Sequence, residues 1–319
     1  MSYVAQVDFT ECNLTVENVS NAAYSKVGKE LFHQLSTVGF VYLKNPGIDK
    51  SLQDELIEVT KEFFLCPLEE KLKYKRNIDN NFGYDDLGAE QVDPSRPGDL
   101  KEGFNARTST LSQENCIWPD DLAPGFSSCY KELMQDAIKL ANRVLTALSF
   151  GMNLNKDDFL TNFHEKFGQS GNCSALRTLY YPKLTMKCKP GQLRCGEHSD
   201  YGSLALLFQD NVGGLQVKNT AGEFVDADPV EDCVVVNIGD CLQLQTQGLL
   251  KSTKHRVLIP DDVKKQQTVR RSLVLFCQPD DNVIVNRPLR YGPGDQAVQE
   301  VESPLTSLQW LQRRYAATY

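Results

Sequence analysis

The chain has 319 residues, 41% hydrophobic and 24% charged, enough for a sizeable core in one large domain or two. A formal net charge of −8 argues against broad attraction to nucleic acid or to an anionic membrane, since both are polyanions. Residues 1–12 carry no apolar signal core and no later apolar run approaches a membrane span, so the ten cysteines are expected as reduced thiols in a cytoplasmic protein.

Val4 to Phe9 reads as a short strand. Ser20 or Asn21 can cap a helix on which Ala23, Val27, Leu31, Phe32 and Leu35 recur at helical spacing. Gly39 to Leu43 reads as a strand ended by the turn Asn45-Pro46-Gly47. A helix follows from about Leu52 to Phe64, and Pro67 opens a short third one through Leu72.

Residues 77–120 change character. Asn80-Asn81-Phe82-Gly83, Asp93-Pro94-Ser95 and Glu102-Gly103-Phe104-Asn105 mix turn formers with aromatics, as in a binding lid or a solvated connector. A long amphipathic helix is expected from Pro124 to about Leu154, and a short one around Asp157 to Phe167. From Ser174 onward short β-like runs dominate: 175–181, 204–208, 215–217, 233–238, 255–259, 271–277 and 283–285. Many short strands without intervening helices indicate a barrel or sandwich. A last helix spans Ser307 to about Ala316. The chain thus divides into residues 1–120, a helix/strand region with the lid-like loop, and residues 121–319, a long helix, a strand-rich core and the C-terminal helix.

Four histidines are present, and two of them combine with a carboxylate in a pattern that carries chemistry. In an extended segment residues i and i+2 share a face, so His198 and Asp200 in His198-Ser199-Asp200 can grip one ion together. His255, at the start of a distant strand-like run, can complete a set that leaves the other side of the metal open, as in non-haem ferrous oxygenases. His33 and His164 fall within expected helices and read as ordinary helical residues. Cys188 and Cys195 are too far apart for a zinc knuckle. On the strand Arg270-Arg271-Ser272, Arg270 and Ser272 share one face and Arg271 the other. A guanidinium with a hydroxyl beside it suits a carboxylate, and burying the arginine requires an acidic partner.

The sequence resembles the ferrous iron and 2-oxoglutarate-dependent dioxygenases of the isopenicillin N synthase-like family. The likeness is carried by His198 to Asp210, Gly213 to Val217, Val235 to Asp240, Lys251 to Val257 and Arg270 to Ser272. In the first half it continues through Gly39-Phe40, Asn45-Pro46-Gly47 and Phe63 to Lys71. It implies an α+β fold, a distorted double-stranded β-helix (jelly roll) with flanking helices. It implies Fe(II) held by His198, Asp200 and His255, and 2-oxoglutarate held at its far carboxylate by Arg270 and Ser272. Tyr181 matches a family tyrosine near that co-substrate. The implied reaction uses O2 to oxidise, usually to hydroxylate, a small organic molecule with release of succinate and CO2, with ascorbate helpful in vitro. Leu179 stands where the family commonly has asparagine, Ser199 where threonine is frequent, and Pro46 where histidine is frequent. Leu179 keeps open an O2-dependent oxidase that does without 2-oxoglutarate, and a non-catalytic metabolite-binding relative is the other alternative. Phe82, Tyr84, Phe104, Phe208 and the C-terminal helix around Trp310 are the candidates for lining a substrate pocket.

Overall fold

The computed structural model describes residues 3–93, 95–113, 116–184, 188–260, 262–294 and 297–318; Pro94 of the turn-rich stretch lies outside them. Strand β1 (Gln6–Asp8) leads to α1 (Asn21–Thr37), where Ser20 Oγ accepts from the Ala23 amide at 3.1 Å. Strand β2 (Phe40–Lys44) is followed by α2 (Lys50–Leu65), α3 (Leu68–Lys71), β3 (Gly83–Asp85) and β4 (Glu102–Arg107). The long helix is α4 (Phe126–Gly151). The second half runs β5 (Ala175–Tyr181), β6 (Cys195–His198), β7 (Leu204–Gln209), β8 (Leu215–Lys218), β9 (Phe224–Asp226) and β10 (Cys233–Ile238). It ends with α5 (Asp240–Gln245), β11 (His255–Val257), α6 (Val263–Gln266), β12 (Arg270–Cys277) and α7 (Ser307–Thr318).

Two sheets result. The larger has eight strands in the order β1-β2-β10-β7-β12-β5-β4-β3, and the smaller has four, β6-β11-β8-β9. Three expectations from the sequence need correction. Residues 157–167 form two 3-10 turns, Lys156–Asp158 and Leu160–Phe163, in place of a helix. Val283 to Val285 makes only an isolated bridge, Ile284 to Thr306. The turn-rich stretch 77–120 is no free lid: β3 and β4 extend the large sheet, with Asn105 paired to Arg177 and Gly103 to Leu179.

Side-chain alternation explains why the central strands read as continuous apolar runs. On β10, Val234, Val236 and Ile238 face one core while Val235 and Asn237 face the other way. On β12, Leu273, Leu275 and Cys277 face the first core, and Arg270, Ser272, Val274 and Phe276 the other side. The first core is closed by α1, α2 and α4; the second side is closed by the small sheet. Each fully buried Leu, Val or Phe in these layers contributes about 1.5–3 kcal/mol. Helices α1 and α4 cross at Gly28 and Gly151, where a Cβ on Gly28 would stand 1.8 Å from the Ala147 carbonyl oxygen. A helix-interior glycine costs about 1 kcal/mol, and here it permits backbone contact between the two longest helices. The fold is a distorted double-stranded β-helix with helices on the outer face of its large sheet. Among the described residues no helix is long and apolar enough to cross a membrane.

Candidate active site

The space between the sheets holds the three residues singled out from spacing. His198 ends β6, His255 begins β11, and the two pair across the small sheet. Asp200 follows in the turn leading to β7. His198 Nε2 and His255 Nε2 each lie 3.8 Å from Asp200 Oδ1, and the ligand atoms of all three fall within 4.8 Å of one another. His33, by contrast, is exposed on α1.

Supporting hydrogen bonds leave the right atoms facing inward. His198 Nδ1 donates to the Gly196 carbonyl at 2.9 Å and His255 Nδ1 to that of Thr253 at 3.1 Å, which assigns the Nε2 lone pairs to the shared space. Burial, reinforced by His198, pushes the His255 imidazole down to about 4, so it is neutral at physiological pH. Asn237 Nδ2 donates to Asp200 Oδ2 at 2.6 Å, leaving Oδ1 for an ion. The Asp240 amide donates to the Asp200 carbonyl at 2.8 Å, and Ser252 and Arg314 hold the Asp240 carboxylate at 2.6 and 3.1 Å. Gly202 and Gly239 let these turns touch: a Cβ on Gly239 would meet the Gly202 carbonyl oxygen at 2.2 Å. Two imidazole nitrogens and one carboxylate oxygen, close together and open on one side, fit a ferrous ion.

One cavity, about 60 Å³, runs from the triad toward Arg270 and Ser272, with Tyr181, Leu179 and Asn237 in its wall. Arg270 donates to the Gly213 carbonyl at 3.0 Å, to Gln209 Oε1 at 3.1 Å and to Ser272 Oγ at 3.3 Å, and its guanidinium lies 4.8 Å from the Tyr181 ring centre. All three acceptors are neutral, so the carboxylate that a buried Arg270 requires is not supplied by these partners. Arg271, on the opposite face, pairs with Glu58 at 2.6 Å.

A second cavity, about 110 Å³, lies on the other side of the triad and shares Leu179, Cys195, His198, Asp200 and Phe276 with the first. The stretch that read as a lid supplies Asn81, Glu90, Val92, Lys101 and Asn105 to its wall. Arg76 pairs with Asp85 at 2.8 Å, Arg177 with Glu90 at 2.8 Å and Asp85 at 3.2 Å, and Lys101 with Asp99 at 2.7 Å and Glu90 at 3.3 Å. Burial works to raise Glu90, but Arg177 and Lys101 outweigh it and hold the carboxyl at about 2; at Asp85 burial wins and the shift is upward. Three cations and three anions therefore neutralise one another inside the protein. Gln278 Oε1 and the Arg177 Nε are buried without a hydrogen-bond partner among the described residues. Tyr201 and Phe276 add aromatic faces, and Leu311 and Tyr315 of α7 complete the lining. A wider surface groove of about 860 Å³ lies on the other side, meeting the first cavity's wall through Gln209 and Gly213, the partners of Arg270, and the triad does not line it.

Of the pocket candidates, Phe82, Tyr84, Phe104 and Phe208 line neither cavity, whereas the C-terminal helix around Trp310 lines the larger one through Leu311 and Tyr315. Phe82, Phe104 and Tyr84 pack with Phe63, Trp118 and Phe126 on the helix side, and Phe208 has the same parity on β7. Trp310 stands one layer back, donating Nε1 to the Tyr201 carbonyl at 2.9 Å. His164 is not an ordinary helical residue: it follows the 3-10 turn Leu160–Phe163 and is buried, bonded to the Leu160 carbonyl at 2.7 Å and to Ser203 Oγ at 3.0 Å. Asn237, Arg177 and Gln278 were missed by the sequence reading. A lone asparagine inside Val234-Val235-Val236-Asn237-Ile238 is the one signal that points to any of them.

Residues 8–121 match a family model described as the non-haem dioxygenase in morphine synthesis N-terminal region, and residues 172–279 match the 2OG-Fe(II) oxygenase superfamily. The chain is 33% identical to a 2-oxoglutarate-dependent dioxygenase, htyE, of Aspergillus rugulosus, over 91% of this chain and 92% of that protein. It is 31% identical to the proline hydroxylase buaE of Petromyces alliaceus, over 91% and 93% respectively. A full-length Neurospora crassa protein, solved in complex with alpha-KG and thymine, superposes with a TM-score of 0.79 at 32% identity, covering 98% of this chain and 97% of that one.

Proposed function

The chain belongs to the Fe(II)- and 2-oxoglutarate-dependent oxygenases of the isopenicillin N synthase-like family, and from that premise we propose that it hydroxylates a small, flat, uncharged heterocycle. Membership makes it an enzyme that oxidises a small organic molecule, consuming 2-oxoglutarate and O2 and releasing succinate and CO2. His198, Asp200 and His255 are the proposed iron ligands, supported by their converging Nε2 and Oδ1 atoms. When bound, the iron with 2-oxoglutarate and O2 supplies the oxidising chemistry.

The protein's own part is positioning. Asp200 contributes one negative charge, fixed by Asn237, and the two imidazoles coordinate through neutral nitrogens. Arg270 and Ser272 take the far carboxylate of 2-oxoglutarate, and Tyr181 packs beside that guanidinium. Leu179 offers an apolar surface opposite Ser272 where a polar contact is common in relatives.

The observation that carries the substrate class is the self-neutralised wall of the larger cavity. Arg76, Lys101 and Arg177 line it beside Glu90 and are matched by Glu90 and by Asp85 and Asp99 behind the wall, which leaves none of these charges spare for an anionic or cationic substrate. What remains is hydrogen-bonding capacity, including Gln278 Oε1, together with the Tyr201 and Phe276 rings. Those features suit a planar ring with amide-like edges, a class that includes the thymine bound by the Neurospora protein. The test is a screen scoring succinate and hydroxylated product with pyrimidine bases and with proline and related amino acids. Turnover with the bases supports the reading, and turnover confined to amino acids refutes it.

A further inference from the structure

The two largest fully buried side chains are both arginines, Arg194 and Arg270. Other buried cations are compensated: Lys71, Arg76, Lys101 and Arg177 each pair with a carboxylate. Among the described residues Arg194 has no such partner. Its Nη2 donates to the Thr268 carbonyl at 3.1 Å, two residues before Arg270, and its Nε and Nη1 are buried without any hydrogen-bond partner there. After burial itself, Arg270 acts most strongly against the charge of Arg194, while Tyr181 and the Asp210 carboxylate act in its favour. Arg194 is thus buried and anchored two residues before Arg270 at the start of β12, and the three acceptors of Arg270 are neutral. Buried charge is tolerated when a counter-charge arrives.

We propose that Arg194 is a positioning residue for the dicarboxylate co-substrate: Arg270 contacts the far carboxylate, and Arg194 supplies a second positive charge behind that contact. Arg194 lines neither cavity, so it acts through its field and through the start of β12 at Thr268. The inference rests on 2-oxoglutarate being the ligand of Arg270. It has an unusual consequence. Without co-substrate the two like charges oppose folding, so removing Arg194 should stabilise the empty protein while weakening 2-oxoglutarate binding. A residue with a merely structural role would do the first in reverse and leave the second unchanged.

The experiment compares full-length wild type with Arg194→Met and Arg194→Lys. Thermal melts are recorded on metal-free protein with and without 2-oxoglutarate, and 2-oxoglutarate is titrated calorimetrically into anaerobic Fe(II)-loaded protein. Arg194→Met is expected to melt higher than wild type when empty, to gain less from 2-oxoglutarate, and to bind it about tenfold more weakly. Arg194→Lys, which keeps the charge, is expected to bind within about threefold of wild type. Arg194→Gln repeats the comparison if the methionine variant does not fold. An empty Arg194→Met protein that melts lower and binds 2-oxoglutarate as wild type does would overturn the proposal, as would equal weakening by Met and Lys. Arg270→Gln is the control: undiminished binding by that variant would remove the co-substrate assignment itself, whatever Arg194 does.

Discussion

The two ends of the cavity handle buried charge in opposite ways. At the Arg270 end, guanidinium groups are buried against neutral acceptors, so the site is electrostatically incomplete until an anion enters. At the Arg177 end, Arg76, Arg177 and Lys101 are matched by Asp85, Glu90 and Asp99, so the site is complete before any ligand arrives. An incomplete end selects for charge, and a complete one selects for shape and hydrogen bonding. On the proposed reading, the two cavities can thereby hold a dianionic co-substrate and an uncharged substrate on either side of the triad without exchanging them.

The largest effect should come from breaking the boundary between the ends. Asp200→Ala removes the one anionic member of the proposed metal triad, and turnover should fall by about a thousandfold or more with loss of bound iron, read by succinate release and metal analysis. Next is the complete end. Arg177→Gln leaves Glu90 and Asp85 buried with one cation fewer, and should cost about 3–5 kcal/mol in urea denaturation. Acid should loosen the same wall. Glu90 is held down at about 2 in the folded protein, so its stabilisation is present above the ordinary carboxylate range and is lost as pH falls through that range toward 2. The loss is on the order of 3 kcal/mol, reduced by Asp85, whose upward shift acts in the opposite sense. Unfolding midpoints that do not move between pH 5 and pH 3 would contradict this. The smallest effect is expected from Leu179→Asn, which adds a polar contact opposite Ser272 and should change the 2-oxoglutarate Kd by less than about tenfold.

The same division decides how much could be read from the sequence. Arg270 and Ser272 lie on one strand, and His198 ends another with Asp200 two residues on in the turn beyond it, so the i, i+2 spacing in the chain declares a common face for each pair. The complete end is assembled from β3, β4, β5 and the segment around Glu90, and its contacts join residues such as Arg177 and Asp85 that are far apart in sequence. No local pattern announces that pairing. Turn formers around β3 and β4 made the stretch look like a loop, because the strands are short and their facing residues polar. The aromatics misled for a related reason. Phe104 alternates with Asn105 on β4, and it is Asn105 that lines the site. His164 looked helical because Leu160 to Phe163 carries apolar spacing, but the chain turns there in 3-10 form and buries the imidazole against Ser203.

The most direct measurement is an anaerobic calorimetric titration of 2-oxoglutarate into Fe(II)-loaded wild type, Arg270→Gln and Arg177→Gln. If the ends are separate, Arg270→Gln loses about a hundredfold or more in affinity, as expected for a buried charge pair deprived of one partner. Arg177→Gln should then stay within about threefold of wild type, since it belongs to the other end. Comparable losses in both variants, or none in Arg270→Gln, would contradict the two-ended cavity.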